Sequence, residues 1–362
     1  MGEIATLGVE EEFLLVDRRT RRPVADAGPV LADASATRAE LKHELLLSQV
    51  EAASAVCTDA EDLRSQLRQA RRALARSARG HGDRLVSVGL PPLPGASHTA
   101  TGDRFERIDR RYAGIVRDYQ ACGCHVHVGV PDRETAVAVV DRLGRWLPTL
   151  LALSANSPYH EGRDTGHASW RAVLQARFPG FGVAPVFGSA DRYDAAVDRL
   201  VDCGVLIDRQ MSFWLARPSE HLPTVEVRAA DAAGTVDEAV LLAVLVRALV
   251  RMARRDAEAG VPAAHLPPEL ASAAVWAAAR HGLDGPGVAA GRGRSVPGAH
   301  LLTELVRYAG PALAEAGDGD VADDALARLL QAGTGARRLR QASRRLRLPG
   351  LVDWLATQTV DG

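Results

Sequence analysis

Alternating apolar and polar residues predict a β-strand close to the N-terminus. Within residues 6–16 the apolar residues at 7, 9, 13 and 15 alternate with Gly8, Glu10, Glu12 and Leu14, which is the period of a half-buried strand. Residues two apart on a strand share a face, so Glu10 and Glu12 point the same way and Glu11 lies among apolar side chains. Adjacent carboxylates repel unless a cation lies between them, and hard oxygen ligands suit Mg²⁺ or Mn²⁺. A solvated strand face is the alternative interpretation.

Two later stretches repeat this arrangement of polar residues two positions apart. His125 and His127 lie in one valine-rich run, and Glu226 and Arg228 lie in another. If the three strands share a sheet, one face carries carboxylates, imidazoles and a guanidinium. Such a face makes a poor hydrophobic core and is suited to a metal and phosphate site.

Elsewhere the periodicity predicts mostly helices. Apolar residues at helical spacing predict helices at 59–79, 105–118, 131–153 and 237–255. Strands are predicted at 49–54 and 207–217, and the first of these places Gln49 and Glu51 on the same face. Alanine-rich helices separated by glycine and proline fill residues 256–362. We therefore expect a single catalytic domain over 1–362, with the sheet and active site mainly in 1–255.

The charge balance argues against a nucleic-acid-binding protein, and the lysine content excludes a Walker phosphate loop. The 44 basic and 45 acidic residues nearly balance, so no overall positive field favours nucleic acid. Lys42 is the only lysine, and it does not lie in the G-K-[ST] motif of a Walker phosphate loop. No G-x-G-x-x-G motif opens a helix after a strand either. A bound nucleotide would have to be held by arginines and metal ions.

Cysteine usage and hydropathy predict a cytoplasmic protein without a membrane-spanning segment. The four cysteines form no C-x-x-C pair, and the count is low for a secreted disulfide scaffold. No apolar signal core precedes the first strand. The longest apolar run, 239–250, contains Arg247 and is too short to cross a bilayer.

Four longer motifs occur in a fixed order along the chain. They are G-V-E-E-E-F, C-H-V-H-V-G-V-P-D, L-L-A-L-S-A-N-S-P-Y with D-T-G-H-A-S-W-R, and R-P-S-E-H-L-P-T-V-E-V-R. From about Thr6 to Arg251 their order and spacing resemble the carboxylate–amine ligase family, also called glutamate–cysteine ligase type 2. The resemblance implies an α+β fold of the glutamine synthetase/guanido kinase-like kind, in which helices pack on the outer face of a curved, mainly antiparallel sheet.

The resemblance also implies an activity and its cofactors. Members of this family are ATP-dependent ligases that join a carboxylate to an amine through an acyl phosphate, with Mg²⁺ or Mn²⁺. Glutamate and cysteine would give γ-glutamylcysteine, so small amino acids are the expected partners. In this family an acidic residue commonly follows the tryptophan that corresponds to Trp214, whereas Leu215 is found here. That departure puts a local hydrogen bond, and the usual substrate preference, in doubt.

Site residues are carried over by position from the same resemblance. The implied metal ligands are Glu10, Glu12, Glu51, His125 and Glu226. Glu44 matches a recurring acidic position of less defined role. Arg228, the catalytic candidate with Glu226, would contact the transferring phosphate or the acyl substrate, and His127 would support His125 or bind substrate. The polar loop between the predicted helices supplies three further candidates for binding substrate or phosphate, Asn156, Arg163 and Arg171, although surface salt bridges would equally explain the two arginines.

Two other functions are consistent with parts of the sequence. H-x-H at a strand end also begins many zinc or iron amidohydrolase sites, and a hydrolase of that kind would need further histidine ligands and no ATP. A non-catalytic nucleotide sensor could keep the same fold, although the intact acidic and arginine positions argue against it. The sequence leaves the physiological acid and amine open, and also the oligomeric state, a homodimer included.

Overall fold

A seven-stranded antiparallel sheet forms the centre of the computed structural model, which describes residues 5–96, 98–117 and 119–362. Its strands are β1 (Leu7–Asp17), β2 (Glu40–His43), β3 (Gln49–Ala53), β4 (Asp83–Val86), β5 (Gly123–Gly129), β8 (Ala216–Pro218) and β9 (Thr224–Asp231). Their order is β2-β3-β1-β5-β9-β8, and β4 pairs with the end of β1. Two hairpins lie outside this sheet, β6 (Tyr159–His160) with β7 (Arg163–Asp164), and β10 (Pro286–Ala289) with β11 (Arg294–Pro297).

Helices surround the sheet. They are α1 (Ala27–Asp33), α2 (Ala60–Gly80), α3 (Asp103–Tyr112), α4 (Gly114–Arg117), α5 (Arg133–Leu143), α6 (Leu147–Ser154), α7 (Trp170–Gln175), α8 (Ala190–Asp202), α9 (Val236–Glu258), α10 (Pro268–His281), α11 (Gly298–Ala316), α12 (Gly319–Ala332), α13 (Gly335–Ser343) and α14 (Leu348–Asp361). None of the helices within the described residues combines the length and apolarity needed to cross a membrane.

The central strand β1 has the two faces that its sequence predicts. Leu7 and Val9 are buried in the largest core cluster, and Phe13 is buried in a second cluster with residues of α2. α9 packs behind β1 and β5, and its N-terminus is fixed by a reciprocal capping box between Thr235 and Glu238. The helices therefore cover one face of the sheet, which we call the back face. Glu10 and Glu12 of β1 lie on the opposite, front face.

The α+β fold with a mainly antiparallel sheet is confirmed, as are the strands predicted at 6–16 and 49–54. The helix predicted over 131–153 is instead two helices, because Pro148 lacks the N–H that a helix interior requires and starts α6. The helix predicted over 105–118 ends at Tyr112, where Ala113 takes a positive φ of 45°; Asp118 lies outside the described residues. Residues 256–362 are mainly helical, with a loop at 261–267 and the β10–β11 hairpin between helices.

The strand predicted over 207–217 is wrong for most of its length. Residues Arg209–Met211 form a 3₁₀ turn, and β8 begins only at Ala216. The apolar residues of this stretch pack elsewhere: Phe213 stacks on Phe178, with 4.4 Å between ring centroids. Aromatic packing, rather than strand pairing, accounts for the hydrophobicity of this segment.

Candidate active site

Polar residues from neighbouring strands meet on the front face of the sheet. Residues directly opposite one another across the strand pairs are Glu10 and His125, His127 and Glu226, and Glu12 and Glu51. Side chains at paired positions point to the same face. The three polar rows therefore form one continuous surface, as the sequence predicts.

One group of possible metal ligands joins β1, β5 and β9. Ligand atoms of Glu10, His127 and Glu226 all lie within 4.8 Å of one another. His127 Nδ1 is hydrogen-bonded to Thr224 Oγ1 at 3.0 Å, and its Nε2 lies 3.5 Å from Glu10 Oε2. Burial alone would raise the pKa of Glu10, but hydrogen bonds and positive charge from His125 and His127 outweigh it and lower that pKa. The first cluster, Glu10–His127–Glu226, thus contains an ionised carboxylate and an oriented imidazole.

A second group lies beside it and consists of carboxylates alone. Ligand atoms of Glu12, Glu44 and Glu51 also lie within 4.8 Å of one another. Burial raises the pKa of all three, and repulsion from neighbouring carboxylates raises that of Glu51 further. Lys42 Nζ lies 3.6 Å from Glu51 Oε1 at the edge of this second cluster. Ionised together at this distance, the three carboxylates would repel one another, and a bound cation would relieve that repulsion.

His125 lies between the two clusters. Its Nδ1 is 3.6 Å from Glu10 Oε2, and its Nε2 is 3.6 Å from Glu12 Oε1. The buried Nε2 atoms of His125 and His127 have no hydrogen-bond partner within the described part of the chain. Buried imidazole nitrogens of this kind are normally paired, and oxygen ligands with one or two imidazoles suit Mg²⁺ or Mn²⁺. The residues present therefore fit divalent cations at both clusters.

Two arginines hold Glu226 from opposite sides. Arg217 Nε donates to Glu226 Oε2 at 2.7 Å, and Arg217 Nη1 donates to the carbonyls of Gln210 and Ser212. Arg228 Nη1 donates to Glu226 Oε1. Burial would raise the pKa of Glu226, but the two guanidinium charges outweigh it and hold the pKa well below its usual value. Glu226 therefore stays ionised, and an arginine is fixed beside the first cluster.

Arg171 is placed beside the second cluster by the start of α7. Ser169 caps this helix, and its hydroxyl also donates to Asp231 Oδ1 at the end of β9 at 2.8 Å. Arg171 is 2% exposed, and its Nε and Nη1 have no hydrogen-bond partner among the described residues, although Nη1 lies 3.8 Å from Asp231 Oδ1. A Cβ atom on Gly123 would lie 2.5 Å from Arg171 Nη2, so only glycine allows β5 to approach this closely.

The two clusters lie between two cavities. The first cavity, of about 580 Å³, is bordered by Glu10 and His127, by the cations Lys42 and Arg254, and by the exposed apolar residues Val56 and Leu222. The second cavity, of about 240 Å³, is bordered by Glu12 and Glu44, by Arg104, Arg171, Arg217 and Arg228, and by aromatic residues that include Tyr119, Phe178 and Phe213. One side of the reaction centre thus offers apolar walls with cations, and the other offers a cationic pocket with an aromatic wall.

Some residues singled out in the sequence lie elsewhere. Asn156 donates from Nδ2 to the carbonyl of Ala232 at 2.8 Å, which gives it a structural contact behind the site. Arg163 is exposed on the β6–β7 hairpin and borders neither cavity. Leu215 is buried in the main core, so the departure from the family pattern does not face the front of the sheet. Conversely, Arg217 was not predicted, because a three-residue strand carries almost no periodic signal.

Comparisons with known proteins show the family to which the chain belongs. The family model for glutamate–cysteine ligase family 2 (GCS2) matches residues 6–353. A protein of Saccharopolyspora erythraea named "Putative glutamate--cysteine ligase 2-2" is 52% identical over 99% of this chain and 93% of its own length. A protein of the same name from Mycolicibacterium vanbaalenii is 49% identical over 95% of each chain.

Solved structures share the fold at low sequence identity. Glutamate–cysteine ligase from Francisella tularensis in complex with AMP has a TM-score of 0.69 and 12% identity, covering 100% of this chain and 90% of that one. The ligase PafA in complex with the ubiquitin-like protein Pup has a TM-score of 0.59 and 14% identity, covering 96% and 71%. The family match supports the ligase prediction and not the hydrolase alternative. The chain belongs to glutamate–cysteine ligase family 2, a family of ATP-dependent ligases that form carbon–nitrogen bonds.

Proposed function

We propose that the protein joins a small carboxylic acid to an amine through an acyl phosphate made from ATP, with Mg²⁺ or Mn²⁺ held on the front face of the sheet. Glutamate and cysteine are the first acid and amine to test, since the relatives carry the name of that reaction. The observation that carries the proposal is the pair of ligand clusters lying side by side between two cavities. We also propose a cytoplasmic location, where ATP is present and thiols stay reduced.

Each cluster has a separate task in this proposal. Glu10, His127 and Glu226 would hold one divalent cation, and Glu12, Glu44 and Glu51 would hold another. A divalent cation held by either set of residues would supply positive charge that offsets the negative charge of the transferring phosphoryl group. His125, between the clusters, would either complete a ligand set or orient Glu10 and Glu12.

The first cavity is the better place for the nucleotide. It is the larger of the two, and its exposed Val56 and Leu222 offer apolar surface to a base. Lys42 and Arg254 supply the positive charge that phosphates need. The γ-phosphate would then point toward the clusters and toward the second cavity.

The second cavity is the better place for the acid. Four arginines and two glutamates border it. Arg104, Arg217 and Arg228 already pair with carboxylates, whereas Arg171 has buried donors free of protein acceptors among the described residues. Its volume of about 240 Å³ favours a small acid over a protein side chain reaching in from a partner. The aromatic wall around Phe178 would limit the access of water, to which an acyl phosphate is sensitive.

The chemistry follows in two steps. A carboxylate oxygen of the acid attacks the γ-phosphorus, the bond from that phosphorus to the β,γ-bridging oxygen breaks, and ADP leaves. The amine nitrogen then attacks the acyl carbon, the bond to phosphate breaks, and the nitrogen loses a proton as the amide forms. Arg228, fixed by Glu226 beside the first cluster, is placed to stabilise the transferring phosphoryl group.

The test is ADP release by the purified protein with ATP and Mg²⁺, across amino acids offered singly and in pairs. We expect ADP only when a carboxylate donor and an amine are both present, together with a new amide detected by mass spectrometry. Glu226→Gln serves as the inactive control, because it removes the carboxylate that both arginines hold. Amide hydrolysis by the metal-loaded protein without ATP, and no ADP release with any pair, would refute the proposal in favour of a hydrolase.

A further inference from the structure

Glu11, the middle glutamate of three, lies on the back face of β1 while its two neighbours lie on the front. It is 1% exposed and forms a bidentate ion pair with Arg71 of α2. Arg71 Nε lies 3.1 Å from Glu11 Oε2, and Arg71 Nη2 lies 2.5 Å from Glu11 Oε1. Both side chains are therefore charged groups placed inside an otherwise apolar layer between the sheet and its helices.

Arg71 also binds two carbonyls from other parts of the chain. Its Nη1 donates to the carbonyl of Thr359 at 3.1 Å, and its Nη2 donates to the carbonyl of Ala233 at 2.9 Å. Thr359 lies in the last turn of α14, and Ala233 lies in the segment that connects β9 to α9. The Arg71 guanidinium thereby links β1 and α2 to α14 and to the β9–α9 connection.

Stability is a weak explanation for this pair. Replacing a buried ion pair by apolar side chains of similar volume is often neutral or stabilising. The side chains around the pair are apolar, because Arg71 Cζ lies 5.5 Å from the centre of the Phe13 ring and the neighbouring core is aliphatic, although the carbonyls of Thr359 and Ala233 would lose a donor. Buried ionic groups have their best-attested use in fixing one alignment over another.

The sequence of β1 makes its alignment ambiguous. A shift of one residue along a strand moves every side chain to the other face. With Glu10, Glu11 and Glu12 in a row, such a shift still leaves glutamate facing the clusters. From Phe13 to Val16 both faces are apolar, so hydrophobicity does not select an alignment in that half of the strand either.

We propose that the Glu11–Arg71 ion pair fixes the alignment of β1, so that Glu10 and Glu12 face the proposed metal site and Glu11 does not. Arg71 is thus a positioning residue, which acts through β1 and does not itself contact the reacting groups. The functional consequence of this inference rests on the metal site of the proposed function, whereas the structural part, the alignment itself, does not.

The chain offers a matched control for the experiment. Arg247 of α9 is also buried, forms a bidentate ion pair with Asp318, and donates to the carbonyl of Thr58 at 2.6 Å. None of these three residues belongs to either ligand cluster. Arg71→Met and Arg247→Met therefore each break a buried bidentate ion pair, but only the first of these pairs includes a residue of β1.

The first measurement is the affinity for Mn²⁺ alone, without ATP, by electron paramagnetic resonance at a temperature where every variant is folded. We expect Arg71→Met to weaken Mn²⁺ binding by about tenfold or more, the size typical of losing a group that orients metal ligands, and Arg247→Met to change it by less than about twofold. The double variant Glu11→Leu/Arg71→Met makes residue 11 apolar, so hydrophobicity should again select the native alignment. We expect it to recover the wild-type affinity.

The second measurement is amide hydrogen exchange of the β1 peptide without any metal. Arg71→Met should lose protection in β1, while Arg247→Met and the double variant should keep it. Wild-type protection in β1 of Arg71→Met, or equal loss in both single variants, would overturn the inference, as would a double variant that fails to recover. If the wild-type protein binds no Mn²⁺, the metal part of the proposed function fails, and hydrogen exchange alone still decides the role of the ion pair.

Discussion

Replacing Arg228 by methionine is expected to slow the chemical step far more than it weakens ATP binding. Arg228 is held beside the first cluster by its hydrogen bond to Glu226. Its Nε and Nη2 find no acceptor among the described residues, so they are free for groups that enter the second cavity, which Arg228 borders. Methionine keeps much of the stem volume and removes the charge.

The size of the effect follows from what the guanidinium would stabilise. A fixed donor aimed at charge that develops in the transition state contributes about 10²–10³ in kcat, and a transferring phosphoryl group at an arginine contributes about 10³ or more. We therefore expect kcat to fall about 10³-fold, equivalent to about 4 kcal/mol, while the KM for ATP changes only a few-fold. Steady-state ADP release at saturating acid and amine provides the measurement.

Arg217→Met is the matched control, because Arg217 also holds Glu226 but uses all three nitrogens on protein acceptors. It should lower the melting temperature while kcat stays within about tenfold of wild type. A loss of less than about tenfold in kcat for Arg228→Met, or equal losses in the two variants, would refute this assignment of roles.

Three further predictions test other parts of the structure. Gly123→Ala should raise the KM for the acid by about tenfold, because the new Cβ would lie 2.5 Å from Arg171 Nη2 and 3.0 Å from His125 Nε2; unchanged kinetics would contradict a role in acid binding for Arg171. Val56→Asp should weaken binding of a fluorescent ATP analogue by about tenfold, because it replaces apolar surface of the first cavity by a charge. Unchanged affinity would show that the base does not bind against Val56. Burial and Asp26 raise the pKa of Asp83 to about 7, so Asp83→Asn should raise the melting temperature at pH 9 but not at pH 4.

The sign of the Asp83 effect follows from proton linkage. Its folded pKa of about 7 lies above the ordinary value, so the folded state binds this proton more tightly than the unfolded state does. The stabilising contribution is complete below about pH 4 and is lost as the pH rises through about 7. The asparagine variant has no such proton to lose. A melting-temperature difference that is independent of pH would contradict this account.

The strands that carry the site could be predicted from the sequence because their signal is local. A period of two in residues 6–16 determines which side chains share a face, and the same holds for the strands of His125 and Glu226. The gathering of the three rows on one face then required only that these strands be neighbours in one sheet. Family resemblance supplied the fold class, which periodicity alone does not specify.

The remaining features depend on contacts distant in sequence. Arg217 reaches Glu226 across a strand pair of three residues, too short for any pattern to predict. Asn156 lies in a loop whose polar side chains suggested substrate binding, yet its side chain donates a hydrogen bond to the carbonyl of Ala232, just after β9. Phe213 belongs to a hydrophobic run that is typical of a strand, and it packs in an aromatic cluster instead. In each case tertiary packing decides the outcome.

The most direct test of the acyl phosphate is the fate of oxygen in the acid substrate. The acid is supplied with both carboxylate oxygens as ¹⁸O, and the inorganic phosphate released with ATP and the amine is analysed by mass spectrometry. The account predicts that each amide formed is accompanied by ADP and by one phosphate carrying a single ¹⁸O, because the carboxylate attacks the γ-phosphorus. Unlabelled phosphate, or ¹⁸O in AMP with pyrophosphate as the other product, would contradict it.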